Sequence, residues 1–190
     1  MARPKEENHA TRYESAEHKL LKMSEISLWL DTYEDIFSDF DPREFSQRSL
    51  SVDFLEEAER ASRDKGVALE LKLLVPKKRR KVSDEGTIKK RLRTHFKRHY
   101  EMIRNDIKKT IRQGVFYVIA GIIIMLFASL MVYFQAHTFL ATFLIVLLEP
   151  AGWFLFWEGL NQVIFESNKA KPQLEFYKKM SKCQITFLPY

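Results

Sequence analysis

The sequence predicts an α+β membrane protein. We expect a small cytoplasmic three-stranded sheet with one or two helices, and a two-helix transmembrane hairpin inserted before the last strand. Three observations lead to this prediction: two long apolar runs lie side by side, three short segments alternate apolar and polar residues, and a strongly basic segment precedes the first apolar run.

The two apolar runs are each long enough to cross a bilayer. Residues 115–135 carry no charged side chain, and residues 138–157 carry only Glu149. About 20 apolar residues span the hydrocarbon core as a helix, whereas a soluble helix of this length normally keeps a polar stripe. Because only Ala136 and His137 separate the runs, we predict a tight hairpin over residues 114–166.

Charge is distributed unevenly along the chain and predicts the topology. Residues 1–76 carry 11 Lys or Arg against 17 Asp or Glu, whereas residues 77–113 carry 15 against 4. Lysines also follow the second run, and the tip of the hairpin carries no Lys or Arg. Positive flanks stay in the cytoplasm, so we expect a multi-pass membrane protein with both termini cytoplasmic. The lone Cys183 fits a reducing compartment.

Period-two alternation predicts three half-buried strands. In the segments "EISLWL", "VALELKLLV" and "CQITFL", apolar residues at every second position lie on one face. A helix from Ser51 to a stop at Gly66 lies between the first two strands, with Phe54, Leu55, Ala58 and Ala61 as its apolar face. We therefore expect a flexible segment 1–22, an α+β domain 23–82, and a helix and strand in 167–190 that complete this domain.

The basic segment 83–113 is predicted to be an amphipathic juxtamembrane helix that runs into the first span. Its apolar residues recur every three or four positions, which is the helical period: they are Ile88, Leu92, Phe96, Tyr100, Ile103, Ile107 and Ile111. This stripe has three candidate partners, namely the sheet, a second copy of the helix in an oligomer, or the membrane surface.

Two groups of basic residues are candidates to face anionic lipid head groups or acidic groups of the protein itself. The first lies in "PKKRRKV", which resembles a short nuclear localisation signal but here leads toward two membrane spans, so we interpret it as a cytoplasmic turn. Nucleic acid would also attract this charge, yet lipid is the nearer counter-charge. The residues are Lys77, Lys78, Arg79, Arg80, Lys81, Lys108, Lys109 and Arg112.

Glu149 is the intramembrane candidate, together with Pro150 and Gly152. A carboxylate near the bilayer centre costs about 2.5–3.5 kcal/mol on insertion scales, so it normally faces a partner or water. Pro150 frees the carbonyl of Val146, and Gly152 permits close helix approach. Two interpretations stay open: a polar ring or ion path in an oligomer, or a hydrogen-bonded carboxyl that fixes helix pairing in the hairpin or across a dimer.

An acidic loop follows the first strand and is the second candidate site. Crowded carboxylates can hold Mg²⁺ or Ca²⁺, and Asp39 and Asp41 would be the ligands, but the EF-hand pattern fails here. The alternative is that the loop forms turns and caps, or faces the basic helix, with Arg43 pairing to Asp39 or Asp41. His95 and His99 lie four residues apart but have no further ligands nearby in the sequence, so we expect surface residues rather than a metal pair. The loop candidates are Asp31, Glu34, Asp35, Asp39, Asp41 and Arg43.

The segments "DTYEDIFSDFDPREFSQRSLSVDFL", "LEPAGWFLFWEGL" and "FYKKMSKCQITFLPY" together resemble a group of small uncharacterised prokaryotic proteins with two transmembrane helices. The resemblance covers residues 24–190 and implies an inner-membrane protein, but no activity.

The chain carries no Gly-rich phosphate loop, GxSxG or HExxH motif, so no catalytic residue and no cofactor is predicted. We expect a non-enzymatic sensor, adaptor or oligomeric membrane effector or channel. Its expected partners are the lipid bilayer, further copies of the chain and a cytoplasmic protein. The alternative is a membrane-tethered enzyme with a divalent metal on the acidic loop.

Overall fold

A computed structural model describes residues 25–63, 70–134 and 138–190. Three strands, β1 (Glu25–Trp29), β2 (Glu70–Val75) and β3 (Gln184–Pro189), form one parallel sheet in the order β1-β2-β3. The α+β class and the three predicted strands are therefore confirmed. Four predictions lie outside the described residues: the flexible segment 1–22, Val67 and Leu69 of the second strand, the helix stop at Gly66, and the Ala136–His137 turn.

Within the described residues, four longer helices accompany the sheet: α1 (Val52–Arg63), α2 (Val82–Tyr133), α3 (Phe139–Asn161) and α4 (Lys171–Lys182). A π-helical turn, Gln162–Glu166, and a last turn, Ser167–Lys169, follow α3. Short 3-10 turns lie at Tyr33–Ile36 and Lys77–Arg79. The basic segment and the first apolar run belong to one continuous helix of 52 residues, as the unbroken pattern of the sequence predicted.

The chain divides into two compact units. The α/β unit holds the described residues up to Tyr100 together with Glu175–Tyr190, and the hairpin unit holds Glu101–Leu174. The division falls inside α2, because the start of this helix belongs to the core of the α/β unit. Ile88, Leu92 and Phe96 are completely buried there, so the first part of the predicted apolar stripe packs on protein.

The core of the α/β unit lies on one face of the sheet. Alternate residues along each strand are buried, as predicted. They are Ile26 and Leu28 of β1 with Leu30 directly after it, Leu71, Leu73 and Val75 of β2, and Ile185 and Phe187 of β3. The register places Ile26 beside Leu71 and Leu71 beside Ile185, so these side chains form continuous rows across the sheet. Because such burial removes apolar area from water, these rows contribute to the hydrophobic stabilisation of the unit.

Helix α1 packs by a slightly different face from the one predicted. Phe54 and Ala58 are buried as expected, but Ser62 is buried while Leu55 and Ala61 are only partly covered. Burial of Ser62 is tolerated because its hydroxyl donates to the carbonyl oxygen of Glu59 at 2.7 Å.

The opposite face of the sheet is more polar. Lys72 binds Glu25 at 2.6 Å and lies 3.7 Å from Glu70, and Thr186 donates to Glu70 at 2.9 Å. Glu70 and Lys72 therefore lie opposite the apolar face, as the alternation predicted. The parallel register aligns these groups in neighbouring rows, which allows cross-strand pairing.

Candidate functional site

The hairpin unit exposes its apolar surface. Two helices of the described chain, Val82–Tyr133 and Phe139–Lys169, are long and apolar enough to cross a membrane, and only 11% of the most apolar window of each is buried. Leu126, Phe127 and Phe154 are more than half exposed. Core helices of a soluble domain would hide these side chains. The prediction of two apolar helices of spanning length is therefore confirmed.

Small residues form the contact between α2 and α3. A Cβ placed on Gly159 would lie 2.5 Å from the carbonyl oxygen of Gly114, and one on Gly121 would lie 2.7 Å from the carbonyl oxygen of Gly152. Real Cβ atoms do not approach backbone atoms this closely, so the two backbones touch at both levels. Ala128, one further step of seven residues along α2, is also completely buried. Such close approach is the packing that small residues allow between membrane helices.

This glycine contact extends beyond the residue that the sequence prediction named. Gly152 was identified, and it lies in the contact, but Gly114, Gly121 and Gly159 were not. The signal is present in the sequence: on each helix, the two glycines of the contact are seven residues apart. Gly114 and Gly159 also lie equally far along the sequence from the Ala136–His137 pair, and so do Gly121 and Gly152. This is the register expected of an antiparallel hairpin.

Glu149 lies on the outer surface of the hairpin. Its side chain is exposed and makes no hydrogen bond or ion pair with another described residue. Pro150 is exposed as well, whereas Gly152 is buried against Met125 of α2. Pairing of the Glu149 carboxyl inside the hairpin, one of the predicted alternatives, is therefore not found among the described residues.

The acidic loop begins with a 3-10 turn that uses its own carboxylate as a cap. Asp35 accepts hydrogen bonds from the backbone N–H of Asp31 at 2.7 Å and of Thr32 at 2.9 Å. The hydroxyl of Thr32 in turn accepts from the backbone N–H of Glu34 at 3.2 Å. This reciprocal arrangement is a capping box, so Asp35 has a local structural role.

The second half of the loop is organised by Asp41. Its carboxylate binds the guanidinium of Arg43 at 2.7 and 2.8 Å and accepts from the backbone N–H of Ser49 at 2.7 Å. These donors, with Arg43 the strongest, hold the pKa of Asp41 well below its usual range. Of the two predicted partners for Arg43, the structure therefore selects Asp41.

The remaining carboxylates of the loop do not converge. Glu34 pairs with Arg48, whose guanidinium also donates to the Ser38 carbonyl oxygen at 3.1 Å, and Asp39 lies on the surface. Within residues 25–63, 70–134 and 138–190, no three His, Cys, Asp or Glu groups come together as a metal site would require. A cleft of about 390 Å³ lies beside the loop, and Arg43 and Arg48 line it together with Glu34, Glu44 and Asp84.

The basic turn Lys77–Lys81 contacts acidic and carbonyl groups of its own unit. Arg80 donates to the buried carboxylate of Glu85 at 2.7 Å, and the Tyr33 hydroxyl donates to the same oxygen at 3.3 Å. Burial raises the pKa of Tyr33, and the bond to Glu85 raises the pKa of Arg80. The Arg79 guanidinium lies 3.5 Å from the Asp31 carbonyl oxygen. Part of this turn therefore fixes the start of α2.

The other basic candidates are free to meet a partner. Lys77, Lys78 and Lys81 are exposed. Lys108, Lys109 and Arg112 are exposed on α2 shortly before the apolar part of this helix, and Lys109 has only a 4.0 Å contact with Asp106. Beside them, Ile103 and Ile107 are partly covered and Ile111 is 38% exposed. The second part of the apolar stripe is thus less covered than the first.

His95 and His99 form an aromatic cluster with Tyr177. The two imidazole rings stack at 4.0 Å, and His99 stacks on Tyr177 at 5.3 Å. His99 Nδ1 donates to the His95 carbonyl oxygen at 3.0 Å, whereas His95 Nε2 is buried with no partner among the described residues. Burial lowers the pKa of His95 to about 4. The pair is therefore partly buried, although the sequence favoured a surface position.

A scan of protein-family models and searches of curated proteins and solved structures found no match. The resemblance to small prokaryotic proteins with two transmembrane helices therefore stays a prediction.

Proposed function

We propose that this chain is a non-enzymatic integral membrane protein. In this proposal, the apolar part of α2 and α3 cross the cell inner membrane as a helical hairpin, and the α/β unit stays in the cytoplasm with both termini. There it acts as a sensor, an adaptor or an oligomeric membrane effector. The observation that carries the proposal is an exposed apolar surface on two helices whose backbones touch along glycines.

Energetics support insertion of this hairpin. Exposed side chains such as Phe127, Leu130 and Phe154 would face water in a soluble chain, and each large apolar side chain gains about 1.5–3 kcal/mol on transfer out of water. The one charged residue of the spans, Glu149, costs about 2.5–3.5 kcal/mol. Because many exposed apolar side chains oppose a single carboxyl, the balance favours the bilayer.

The basic residues beside the apolar part of α2 support the orientation. Lys108, Lys109 and Arg112 are exposed at this end of the span, where anionic head groups contribute about 1 kcal/mol per basic side chain. Neutralising all three with Gln should weaken the preference for anionic lipid without releasing the protein. Vesicles with and without anionic lipid would report the change, and Lys77→Gln, Lys78→Gln and Lys81→Gln together would show separately whether the other basic group contributes.

Membrane extraction tests the proposal directly. We expect the full-length chain to stay with membranes after alkaline carbonate treatment and to float with lipid in a density gradient. Recovery of the protein in the carbonate supernatant would contradict insertion. Ion flux through vesicles that contain the purified protein then separates the effector types: flux that Glu149→Gln abolishes supports a channel, and no flux leaves the anchored sensor or adaptor.

The alternative, a membrane-tethered enzyme with Mg²⁺ or Ca²⁺ on the acidic loop, has a separate test. Titration with Mg²⁺, Mn²⁺ and Ca²⁺ while the thermal midpoint is followed would reveal binding as a stabilisation. A shift that Asp39→Asn and Asp41→Asn remove would support the enzyme. An unchanged midpoint with all three ions would remove the reason for proposing an enzyme. Asp35 and Asp41 already accept several hydrogen bonds within the loop, which accounts for these carboxylates without a metal.

A further inference from the structure

The outward position of Glu149 in the hairpin needs an explanation. Glu149 is exposed on α3 and has no hydrogen-bond partner among the described residues. This inference rests on the proposed function. In water an exposed carboxyl group is solvated, but in the bilayer nothing solvates one that faces the acyl chains. Since no described residue completes the hydrogen bonds of Glu149, the matching group is sought on another molecule in the bilayer.

We propose that this group is Glu149 of a second copy of the chain, so that two hairpins form a dimer through the Glu149 face of α3. Two copies inserted with the same orientation are related by a two-fold axis along the membrane normal, which places identical residues opposite each other at the same depth. A neutral carboxyl group offers one O–H donor and one acceptor oxygen. Two such groups each donate one hydrogen bond to the other and accept one in return. Two carboxyl groups that share a single proton are also joined by a hydrogen bond.

The composition of the spans favours a pair of Glu149 carboxyl groups over an ion pair between two copies. Between Val115 and Trp157 the sequence contains no Lys or Arg, so a copy of this chain has no cation to offer at this depth. On α2, the charged residue nearest to the span is Arg112, and the described part of the helix beyond it carries none. The carboxyl group of the same residue is therefore the matching partner that this chain supplies.

The surroundings of Glu149 on α3 suit a helix contact. Thr142, Val146 and Trp153 lie seven and three residues before it and four residues after it, which places them on the same side of the helix, and all three are exposed. The glycine contact with α2 lies about a quarter turn around α3 from Glu149 and leaves these side chains exposed. Pro150 lies next to Glu149 and is exposed as well, so the hydrogen bond that its ring removes from the helix lies near the proposed contact.

Dimerisation of the full-length protein can be measured by fluorescence transfer between donor- and acceptor-labelled copies in phosphatidylcholine vesicles, diluted with increasing lipid. Interhelical hydrogen bonds in membranes correspond to about a tenfold change in association. We expect the native chain to form dimers in these vesicles. Glu149→Leu should weaken the dimer about tenfold, because Leu offers no hydrogen bond.

The variant Glu149→Gln distinguishes the proposed carboxyl pair from simple packing. An amide also offers a donor and an acceptor, so this variant should dimerise with an affinity close to that of the native chain. Leu147→Ala changes a residue two positions away, which lies on the other side of α3, and should behave as the native protein.

Three results would overturn the proposal: a monomeric native chain, a Glu149→Leu variant that dimerises like the native chain, or a Glu149→Gln variant that associates as weakly as Glu149→Leu. Flotation of the same vesicles is scored in parallel. A protein that floats but does not dimerise contradicts only this inference, whereas one that does not float contradicts the proposed function.

Discussion

The glycine contact between α2 and α3 leads to the sharpest prediction. Replacing Gly159 with Ala puts a methyl group 2.5 Å from the Gly114 carbonyl oxygen and 2.7 Å from both the backbone nitrogen and a side-chain methyl group of Val118. Two of these three atoms belong to the backbone of α2 and cannot rotate away. The helices must therefore separate, which also loosens the packing at the level of Gly121.

Two opposing contributions set the magnitude. Ala is favoured over Gly inside a helix by about 1 kcal/mol, whereas overpacking of a close contact costs about 1–3 kcal/mol, and the approach to backbone atoms places Gly159→Ala at the upper end. We expect a net loss of about 1–2 kcal/mol. Gly86 is the matched control, because a Cβ there meets nothing within 4 Å, and Gly86→Ala should stabilise by about 0.5 kcal/mol.

Tryptophan emission can follow the hairpin separately from the rest of the chain. The sequence contains three tryptophans, and two of them, Trp153 and Trp157, lie in α3. In a Trp29→Phe background, denaturation in mild detergent therefore reports on the hairpin unit. Gly159→Ala should unfold at a lower denaturant concentration than the parent, and Gly86→Ala should not. Equal stability of the two variants would refute the direct backbone contact between α2 and α3.

Three further predictions concern the α/β unit. Glu85→Met should destabilise the protein by about 2–3 kcal/mol, because Arg80 is left without its carboxylate; urea denaturation should show a smaller loss when Arg80→Met is added. Because the pKa of His95 is lowered to about 4 from an ordinary 6.5, His95 stabilises the fold fully above pH 6.5 and loses this contribution as the pH falls toward 4. Thermal midpoints should therefore fall between pH 6.5 and 5 by an amount equivalent to about 1 kcal/mol, and His95→Phe should flatten this slope. Cys183 is buried and its pKa is raised to about 11, so a thiol reagent should modify it only as fast as the protein unfolds; rapid labelling of the native protein would contradict this.

Parts of the fold follow directly from local patterns. Alternation in "EISLWL" and "CQITFL" identifies β1 and β3 because strand side chains point to opposite faces in turn, and Ile26 and Ile185 are buried accordingly. The continuity of α2 follows from an unbroken helical period with no proline between Val82 and Tyr133. These features depend on neighbours in the sequence, so the sequence predicts them.

Other parts depend on contacts that local patterns do not encode. A helix that is apolar on all sides gives no sign of the side that packs, so composition identified the spans but not the outward direction of Glu149. The packed side of each helix is the one that carries Gly121 or Gly159. In the sequence, only the seven-residue spacing of the contact glycines indicates this side. For the acidic loop, the sequence shows carboxylates but not the donors near them. Asp35 and Asp41 bind backbone N–H groups whose positions exist only once the loop has folded.

The orientation of the hairpin in the membrane can be measured with single cysteines. Single cysteines at Ser83, Thr138 and Gln173, all exposed, can be labelled with a membrane-impermeant thiol reagent in inside-out and right-side-out vesicles, and the native thiol should stay silent. We expect Ser83→Cys and Gln173→Cys to react only in inside-out vesicles and Thr138→Cys only in right-side-out vesicles. Reaction of all three positions from one side, or of Ser83→Cys and Gln173→Cys from opposite sides, would contradict a two-span hairpin with both ends in the cytoplasm.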